Sequence, residues 1–506
     1  MKSVLIILFL LFIACIGQEN NRKNILHIMV DDLRPELNIY NPQGHQIYTP
    51  NIDILGNSGL IFDRAYANQA LCNPSRSSYM TGRRPDETKV WNLDTNFRDI
   101  HPDWTTLPGM FKKAGFITMG VGKTYHPKCP PRYDSILSWS KESLPYQNPC
   151  WIYGVDCVPC PKTLWNISNV AEDWCEIESY SDSLTVYEGI KLLEEMSKKK
   201  DNFYLAVGLH KPHLPWQAKK KHYDLYPLEN ITLAKHKTIP KNTPEIAWVD
   251  TDSPNPWKPI PDDSARAARR GYYASTTGMD ENIGKLLKAL DNLNLSNSTA
   301  IIFHSDHGWQ LGERGEWRKF TNFEISLKVP LIVKVPWIKN THGKRTESIV
   351  ELVDIMPTLA DIVNISKPND SGSPLSGESF LPVIQNENIS IKDEAYGQYP
   401  RRVKNGMEDW ENNNIVHVDP KKFTHMGYTI RVKDWRYTEW YLWNGTQMQV
   451  MWDQLVAQEL YDRRGEETNK NDFDLYENEN VYNLSTNKIV IENLSKKIYE
   501  KFCCKI

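Results

Sequence analysis

The chain has 506 residues, of which 40% are hydrophobic and 24% are charged. These proportions are those of an ordinary globular protein, and they exclude a disordered chain, a collagen-like chain and a small disulfide scaffold. The formal net charge is −3, so the chain lacks the basic excess that is typical of nucleic-acid-binding proteins. The length predicts two to four domains, or one large domain with a small one.

The amino terminus carries a short apolar segment. Lys2 is followed by an almost wholly apolar run over residues 4–16, and Cys15 and Gly17 stand near its end. This pattern is typical of a secretory signal peptide over residues 1–17, because the run is shorter than the roughly 20 residues that a membrane helix needs. An uncleaved anchor is the alternative. Ten Asn-x-Ser/Thr sequons also indicate the secretory pathway, with surface glycans and no stable membrane insertion after signal cleavage.

Four apolar runs, over residues 25–30, 116–121, 203–209 and 300–303, are each followed by polar residues. Runs without polar alternation are typical of strands buried on both faces, as in a parallel sheet between helices. In such sheets, ligands bind beyond the carboxyl ends of the strands. We therefore expect the following residues to meet at one sheet edge: Asp31, Asp32, Lys123, His126, His210, Asp306 and His307.

Further elements are predicted from periodicity. Residues 183–196 and 280–290 have apolar residues at helical spacing, and residues 329–335 are typical of another strand. Alternating residues over 428–432 and 435–441 predict half-exposed strands of an antiparallel sheet.

The texture of the chain changes between residues 366 and 390, where Ser, Pro, Asn and Gly dominate. We therefore expect a larger domain over residues 18–386 and a smaller one over residues 387–506. The predicted fold class is α/β, with a large mixed, mostly parallel sheet flanked by helices in the larger domain. The smaller domain is predicted to be α+β and to carry the antiparallel sheet.

Nine cysteines are present, and five of them crowd one segment: Cys129, Cys150, Cys157, Cys160 and Cys175. In an oxidising compartment this crowd predicts local disulfides. A zinc site is the weaker alternative, because no histidine stands among these cysteines at ligand spacing.

Cys72 stands apart from the other cysteines, in the sequence Cys-Asn-Pro-Ser-Arg followed by Thr-Gly-Arg over residues 81–83. Pro74 and Gly82 predict a short helix over about residues 74–81, with Cys72 at its amino end, where the helix dipole favours anions. Taken alone, Cys72 fits a disulfide partner or a buried apolar residue. A cysteine nucleophile that is activated by a histidine is another interpretation.

The run from Cys72 through Arg76 to Thr81-Gly82-Arg83 resembles the signature of the sulfatase family. The resemblance implies that Cys72 is oxidised to formylglycine by the formylglycine-generating enzyme, and that the aldehyde hydrate supplies the nucleophilic oxygen. It also implies an alkaline-phosphatase-like catalytic domain and one bound calcium ion. The implied metal site comprises Asp31, Asp32, Cys72, Asp306 and His307. Carboxylates suit such a cation, whereas histidine is a less typical ligand for calcium.

The same resemblance implies catalytic roles for four further residues. Arg76 and Lys123 steady the hydrate and the sulfate charge, His126 takes a proton as sulfate is eliminated, and His210 protonates the leaving alcohol. His27 and His213 are interpreted as hydrogen-bonded core residues.

Longer matches resemble the branch of the family that removes the 2-O-sulfate from iduronate at the non-reducing end of heparan and dermatan sulfate. They include residues 30–35, 81–86, 121–127, 206–213, 305–309, 315–319, 398–401 and 426–428. This resemblance implies that Trp309 and Lys319 seat the uronate carboxylate, that Cys150 and Cys160 form a disulfide, and that the enzyme is lysosomal. Packing under a loop for Trp309 and a solvated surface charge for Lys319 are the alternatives.

Three other functions remain open from the sequence. A phosphatase or phosphonate hydrolase would share the architecture with a different nucleophile or two metals. A sulfatase of another specificity would share the core residues, and a silent glycan-binding protein would have lost activity. An extracellular destination fits the signal peptide as well as a lysosomal one.

Overall fold

The computed structural model describes residues 22–40, 46–140, 181–248, 259–370, 372–403, 415–466 and 472–503. The predicted signal peptide and the predicted pair Cys150–Cys160 lie outside these residues. Across the described ranges, no helix combines the length and the apolar character that crossing a membrane requires.

The strands are β1 Asn24–Asp31, β2 Leu60–Tyr66, β3 Ile117–Gly122, β4 Phe203–Pro212, β5 Thr299–Ser305, β6 Gln310–Leu311, β7 Trp317–Arg318, β8 Lys328–Lys334, β9 Lys344–Glu351, β10 Glu394–Arg401, β11 His425–Val432, β12 Trp435–Asn444 and β13 Gln449–Asp462. The helices are α1 Pro50–Asn57, α2 Cys72–Thr81, α3 Pro85–Thr88, α4 Leu107–Lys113, α5 Ser135–Ser138, α6 Ser181–Ser197, α7 Lys220–Tyr223, α8 Asp262–Asn292, α9 Glu324–Leu327, α10 Ile355–Val363, α11 Leu381–Gln385 and α12 Lys488–Phe502.

A seven-stranded sheet in the order β3-β4-β1-β5-β8-β2-β9 forms the centre of the larger part. β1 pairs in parallel with both β4 and β5, and β3 pairs in parallel with β4, whereas β8 is antiparallel to β5 and β2. Leu26 and Ile28 of β1 belong to one apolar core, and Ile25 and Met29 belong to a second core on the other face. Burial on both faces explains why these strands lack polar alternation, and the predicted mixed, mostly parallel sheet is confirmed.

β2 was not predicted, because charged residues interrupt its apolar pattern. Asp63 and Arg64 lie in the middle of the strand and are almost fully buried. Asp63 pairs with Arg345 of β9, and Arg64 pairs with Glu347 of the same strand. Charges that are paired across a sheet can therefore occupy strand positions that a hydrophobic pattern does not reveal.

The predicted antiparallel sheet is also confirmed, in the order β10-β11-β12-β13. Helix α12 packs its buried Leu494 and Ile498 in the same apolar cluster as Tyr428 and Tyr437 of this sheet. The placement of the domain boundary at residue 386 stays a prediction.

The predicted participation of Cys129 in a local disulfide is wrong. Cys72, Cys129 and Cys503 are free thiols, and no disulfide is present among the cysteines that the structure describes. Cys129 Sγ lies 3.4 Å from the backbone oxygens of Leu93 and Asp94 instead of facing another sulfur.

Glu324 of α9 links the two sheets through a buried ion cluster. Its carboxylate accepts hydrogen bonds from Tyr66 Oη at 2.8 Å and Arg431 Nε at 2.9 Å, and also from Arg436 Nη2. Burial alone would raise the pKa of Glu324, but the guanidinium groups of Arg431, Arg463 and Arg436 outweigh it and hold this pKa well below its usual range. The cluster therefore keeps the carboxylate ionised.

Glu324→Gln should lower the free energy of unfolding by about 3–5 kcal/mol, because it leaves buried guanidinium groups without a counter-charge. Since the folded-state pKa is depressed, the contribution of Glu324 is present above the unfolded pKa of about 4.3 and is lost as the pH falls through the lower folded value. A urea titration at neutral pH measures the change.

Glu347→Gln is the matched control for this titration. Glu347 pairs with Arg64 at 3.0 Å, but its side chain is 47% exposed, so its loss should cost less than about 1 kcal/mol. Equal losses in the two variants would show that the buried cluster contributes no more than a surface ion pair.

Candidate active site

The carboxyl ends of β1 and β5 bring three aspartates together. Val30 lies opposite Ser305 in the parallel register, and the Asp306 amide donates to the Val30 carbonyl at 3.0 Å. Asp31, Asp32 and Asp306 follow directly and are fully buried. Asp32 has a φ of 62°, a left-handed conformation that aspartate tolerates better than most residues. The predicted meeting of these side chains at one sheet edge is confirmed.

Cys72 is the first residue of helix α2, which ends at Gly82 with a φ of 65°. The Cys72 side chain is buried, and four charged or polar groups surround its sulfur. These are Lys319 Nζ at 3.1 Å, Asp31 Oδ1 at 3.4 Å, His307 Nε2 at 3.6 Å and Lys123 Nζ at 3.8 Å. The sulfur therefore lies at a helix amino terminus, where an anion is favoured.

Three cations balance the three aspartates. Arg76 Nε donates to Asp306 Oδ2 at 3.0 Å, Lys319 Nζ donates to Asp32 Oδ1 at 2.6 Å, and Lys123 pairs with Asp31. Each pair is made between different segments of the chain, so the folded sheet edge is needed to form them.

Burial and these cations set the charge states of the aspartates. Burial would raise the pKa of Asp31, but Lys123, His213 and Arg76 outweigh it and hold that pKa well below its usual range. For Asp32 burial prevails, although Lys319 opposes it, and raises the pKa to about 6. The two neighbouring carboxylates therefore differ in their affinity for a proton.

The donor set fits a metal ion. Ligand atoms of Asp31, Cys72, Asp306 and His307 all lie within 4.8 Å of one another. His307 Nδ1 donates to the Gly308 carbonyl at 2.9 Å, which leaves Nε2 directed at the carboxylates. Asp32 Oδ2 is buried and has no hydrogen-bond partner among the described residues, and such an oxygen suits a hard divalent cation.

His213 lies at the site and was not assigned there by sequence. Its Nε2 is 3.9 Å from Asp32 Oδ2, and its ring packs edge-on against His210 with centroids 4.6 Å apart. His210 Nε2 is 3.8 Å from Asp31 Oδ2, and burial lowers the pKa of both histidines. The His-x-x-His spacing at the end of a buried strand was the available signal for His213.

His126 lines a cavity of about 490 Å³ together with Lys123 and His210. Burial, helped by the charge of Lys123, lowers the pKa of His126 well below its usual range, so its imidazole is neutral and can accept a proton. The cavity lies at the carboxyl ends of β3 and β4 and has the size of a small-ligand site. His27, by contrast, is a buried core residue bonded to Tyr204 and His304, as predicted.

Lys319 and Trp309 lie one above the other. Lys319 Nζ is 5.5 Å from the Trp309 ring, and Lys319 is only 5% exposed, so it is not a solvated surface charge. Trp309 is buried, stacks on Tyr272 and meets Trp216 edge-on. Its Nε1 has no hydrogen-bond partner in the described part of the chain. Lys319 therefore lies next to Cys72 and packs against the Trp309 ring.

Comparison with known protein families and sequences gives consistent matches. A family model described as Sulfatase matches residues 23–365, and one described as N-sulphoglucosamine sulphohydrolase, C-terminal, matches residues 312–502. The iduronate 2-sulfatase of Mus musculus is 34% identical over 93% of this chain and 93% of its own length. The iduronate 2-sulfatase of Homo sapiens is 35% identical over 87% and 88%, respectively.

Solved structures share the fold at lower identity. The phosphonate monoester hydrolase of Agrobacterium radiobacter superposes with a TM-score of 0.70 at 18% identity, covering 95% of each chain. A structure in complex with D-glucosamine-2-N,6-O-disulfate has a TM-score of 0.65 at 20% identity, covering 95% of this chain and 97% of the other.

Asp306→Asn should weaken the binding of a divalent cation by about tenfold or more, because a neutral amide replaces a carboxylate in the donor set. Equilibrium dialysis against calcium, followed by elemental analysis of the protein, measures this. Asp182→Asn is the control, since the Asp182 carboxylate is also buried but accepts from the backbone amides of His210 and Lys211. Unchanged calcium affinity in Asp306→Asn would remove Asp306 from the ligand set.

Proposed function

Because the chain belongs to the sulfatase family and is a sulfuric ester hydrolase, we propose that it removes the 2-O-sulfate from iduronate at the non-reducing end of heparan and dermatan sulfate. The observation that carries the proposal is the surroundings of Cys72. A residue at the amino end of a helix lies within reach of two lysines, a carboxylate and a histidine. The similarity to iduronate 2-sulfatases over about nine-tenths of the chain supports the choice of sugar.

We propose that Cys72 is converted to formylglycine by the formylglycine-generating enzyme, after entry into the secretory pathway and on the way to the lysosome. The hydrated aldehyde would supply the oxygen that attacks sulfur. Asp31, Asp32, Asp306 and His307, with residue 72, would hold one calcium ion, which would supply Lewis-acid polarisation of a sulfate oxygen. The buried Asp32 Oδ2, which accepts no hydrogen bond from any described residue, supports this assignment.

Lys123, Lys319 and Arg76 supply positive charge where the negative charge of the transition state spreads. Lys319 was expected to seat the uronate carboxylate. Its position 3.1 Å from Cys72 Sγ instead supports a role in binding the sulfate group. The cavity beside Lys123, His126 and His210 would bind the sugar. Trp309 would contribute to substrate binding through its contact with Lys319 and through its Nε1, which has no hydrogen-bond partner in the part of the chain that the structure describes.

Two histidines compete for the role of protonating the leaving oxygen. The sequence assigned this role to His210. The geometry favours His213. One of its ring nitrogens lies within 4.8 Å of Cys72 Sγ and an Asp32 oxygen, whereas His210 is grouped, among the described residues, with Asp31 and His213. His126 remains the proposed base that takes a proton as sulfate is released, because its imidazole is neutral and faces the cavity.

The purified protein should release sulfate from a disaccharide with a 2-sulfated iduronate at its non-reducing end, and Cys72→Ala should abolish the release. Mass spectrometry of the peptide around residue 72 should show sulfur replaced by oxygen with the loss of two hydrogens. Sulfate release is measured by ion chromatography.

Nitrophenyl sulfate and a glucosamine sulfate serve as comparison substrates. If sulfate is released only from one of these other esters, the protein is a sulfatase but the assignment of iduronate as its substrate is wrong. Absence of release from all substrates, in protein that carries formylglycine, would contradict the proposed function.

His213→Ala should lower kcat/KM for the iduronate substrate by about 100-fold or more, but should affect nitrophenyl sulfate far less, because nitrophenolate leaves without a proton. His210→Ala is the matched comparison, since the two rings are in contact. If His210→Ala, and not His213→Ala, shows this dependence on the leaving group, His210 is the proton donor.

A further inference from the structure

Tyr399 of β10 reaches from the C-terminal sheet to the segments that carry Cys72 and Lys319. It belongs to the same apolar cluster as Leu71, the residue before Cys72, and Phe320, the residue after Lys319. The Tyr399 and Phe320 rings lie with centroids 6.4 Å apart. The Tyr399 ring therefore packs against the residue that directly follows Lys319.

The Tyr399 hydroxyl is buried and has no hydrogen-bond partner within the described ranges. The residue is 1% exposed, and Oη makes no hydrogen bond to any described residue. Burial raises its pKa, and Lys319 and Cys72 are among the groups whose charges act on it, so the hydroxyl stays protonated near the reactive centre. A buried polar group that remains unsatisfied costs about 1–3 kcal/mol, which a bound ligand can offset.

Arg401 fixes the position of the Tyr399 ring. Its guanidinium lies 4.9 Å from the ring centroid. It donates to the Phe320 carbonyl at 2.7 Å, to the Ile246 carbonyl at 2.9 Å and to the Ala247 carbonyl at 3.2 Å. These bonds join β10 to the segment after Lys319, so the ring is held rigidly while its hydroxyl remains available.

We propose that Tyr399 Oη donates a hydrogen bond to an oxygen of the sulfate group bound at residue 72, so that the C-terminal sheet contributes a substrate-binding residue. The inference deepens the proposed function and rests on a sulfate ester being the substrate, but it does not depend on which sugar carries the sulfate. The hydroxyl is a neutral donor, so it would add a directional hydrogen bond to the contacts of Lys319 and Lys123 without changing the charge of the site.

Tyr399→Phe removes only the hydroxyl. We expect the inhibition constant of inorganic sulfate to rise, and kcat/KM for both nitrophenyl sulfate and the iduronate disaccharide to fall, by about 10- to 100-fold each, because the lost bond is made to a charged group. Tyr396→Phe is the matched control. Tyr396 is on the same strand, but its hydroxyl donates to Glu394 at 3.3 Å, so sulfate inhibition should be unchanged.

Thermal unfolding separates this role from a structural one. Without ligand, Tyr399→Phe should be as stable as the parent protein or more stable, because it removes an unsatisfied buried group. Added sulfate should raise its Tm less than it raises the Tm of the parent. A lower Tm without ligand, combined with an unchanged response to sulfate, would overturn the proposal, as would unchanged inhibition and unchanged kcat/KM.

The two proposals can fail separately. If only nitrophenyl sulfate is turned over, the iduronate assignment fails while the inhibition and kcat/KM measurements still test Tyr399. If no ester is turned over, the proposed function fails, and the sulfate-dependent shift in Tm still decides whether Tyr399 binds the anion.

Discussion

Burying three aspartates at one sheet edge is the constraint on which the rest of the structure depends. Asp31, Asp32 and Asp306 lie at the ends of adjacent parallel strands and are fully buried. Isolated carboxylates would be too costly at this depth, so each is paired with a cation from another segment. Arg76 comes from the helix that begins at Cys72, Lys123 from the end of β3 and Lys319 from the loop after β7. The electrostatic requirement of the aspartates thus brings the reactive cysteine and its neighbours together.

Most of this edge could be predicted because the strands are buried on both faces. Apolar runs in the sequence mark β1, β3, β4 and β5. Parallel strands bring the residues that follow such runs close together. β2 was not predicted in this way, because it contains the charged residues Asp63 and Arg64, which are buried and paired with residues of β9. No periodicity reveals a partner more than 250 residues away in sequence.

The residues that were missed or misplaced within the site have a different physical origin. The proposed roles of His213 and Tyr399 rest on where their side chains lie, and that of Lys319 rests on its contact with Asp32. A motif identifies residue types at fixed spacing, but it does not distinguish a histidine that lies near Cys72 from one that lies near the neighbouring strand. Nor does it show that a strand of a second sheet lies against the segments that flank Cys72. These facts depend on packing between distant segments, which requires the folded structure.

The balance of charge in the site also bears on how the proposed cation and the sulfate ester would bind together. Three carboxylates and three basic side chains leave these ion pairs close to neutral overall. A neutral, buried cluster has little affinity for an anion. A divalent cation bound by the aspartates would make the site positive and would release Lys123, Lys319 and Arg76 to face the sulfate. Binding of the metal and binding of the anion would then reinforce each other, so loss of one aspartate should weaken both.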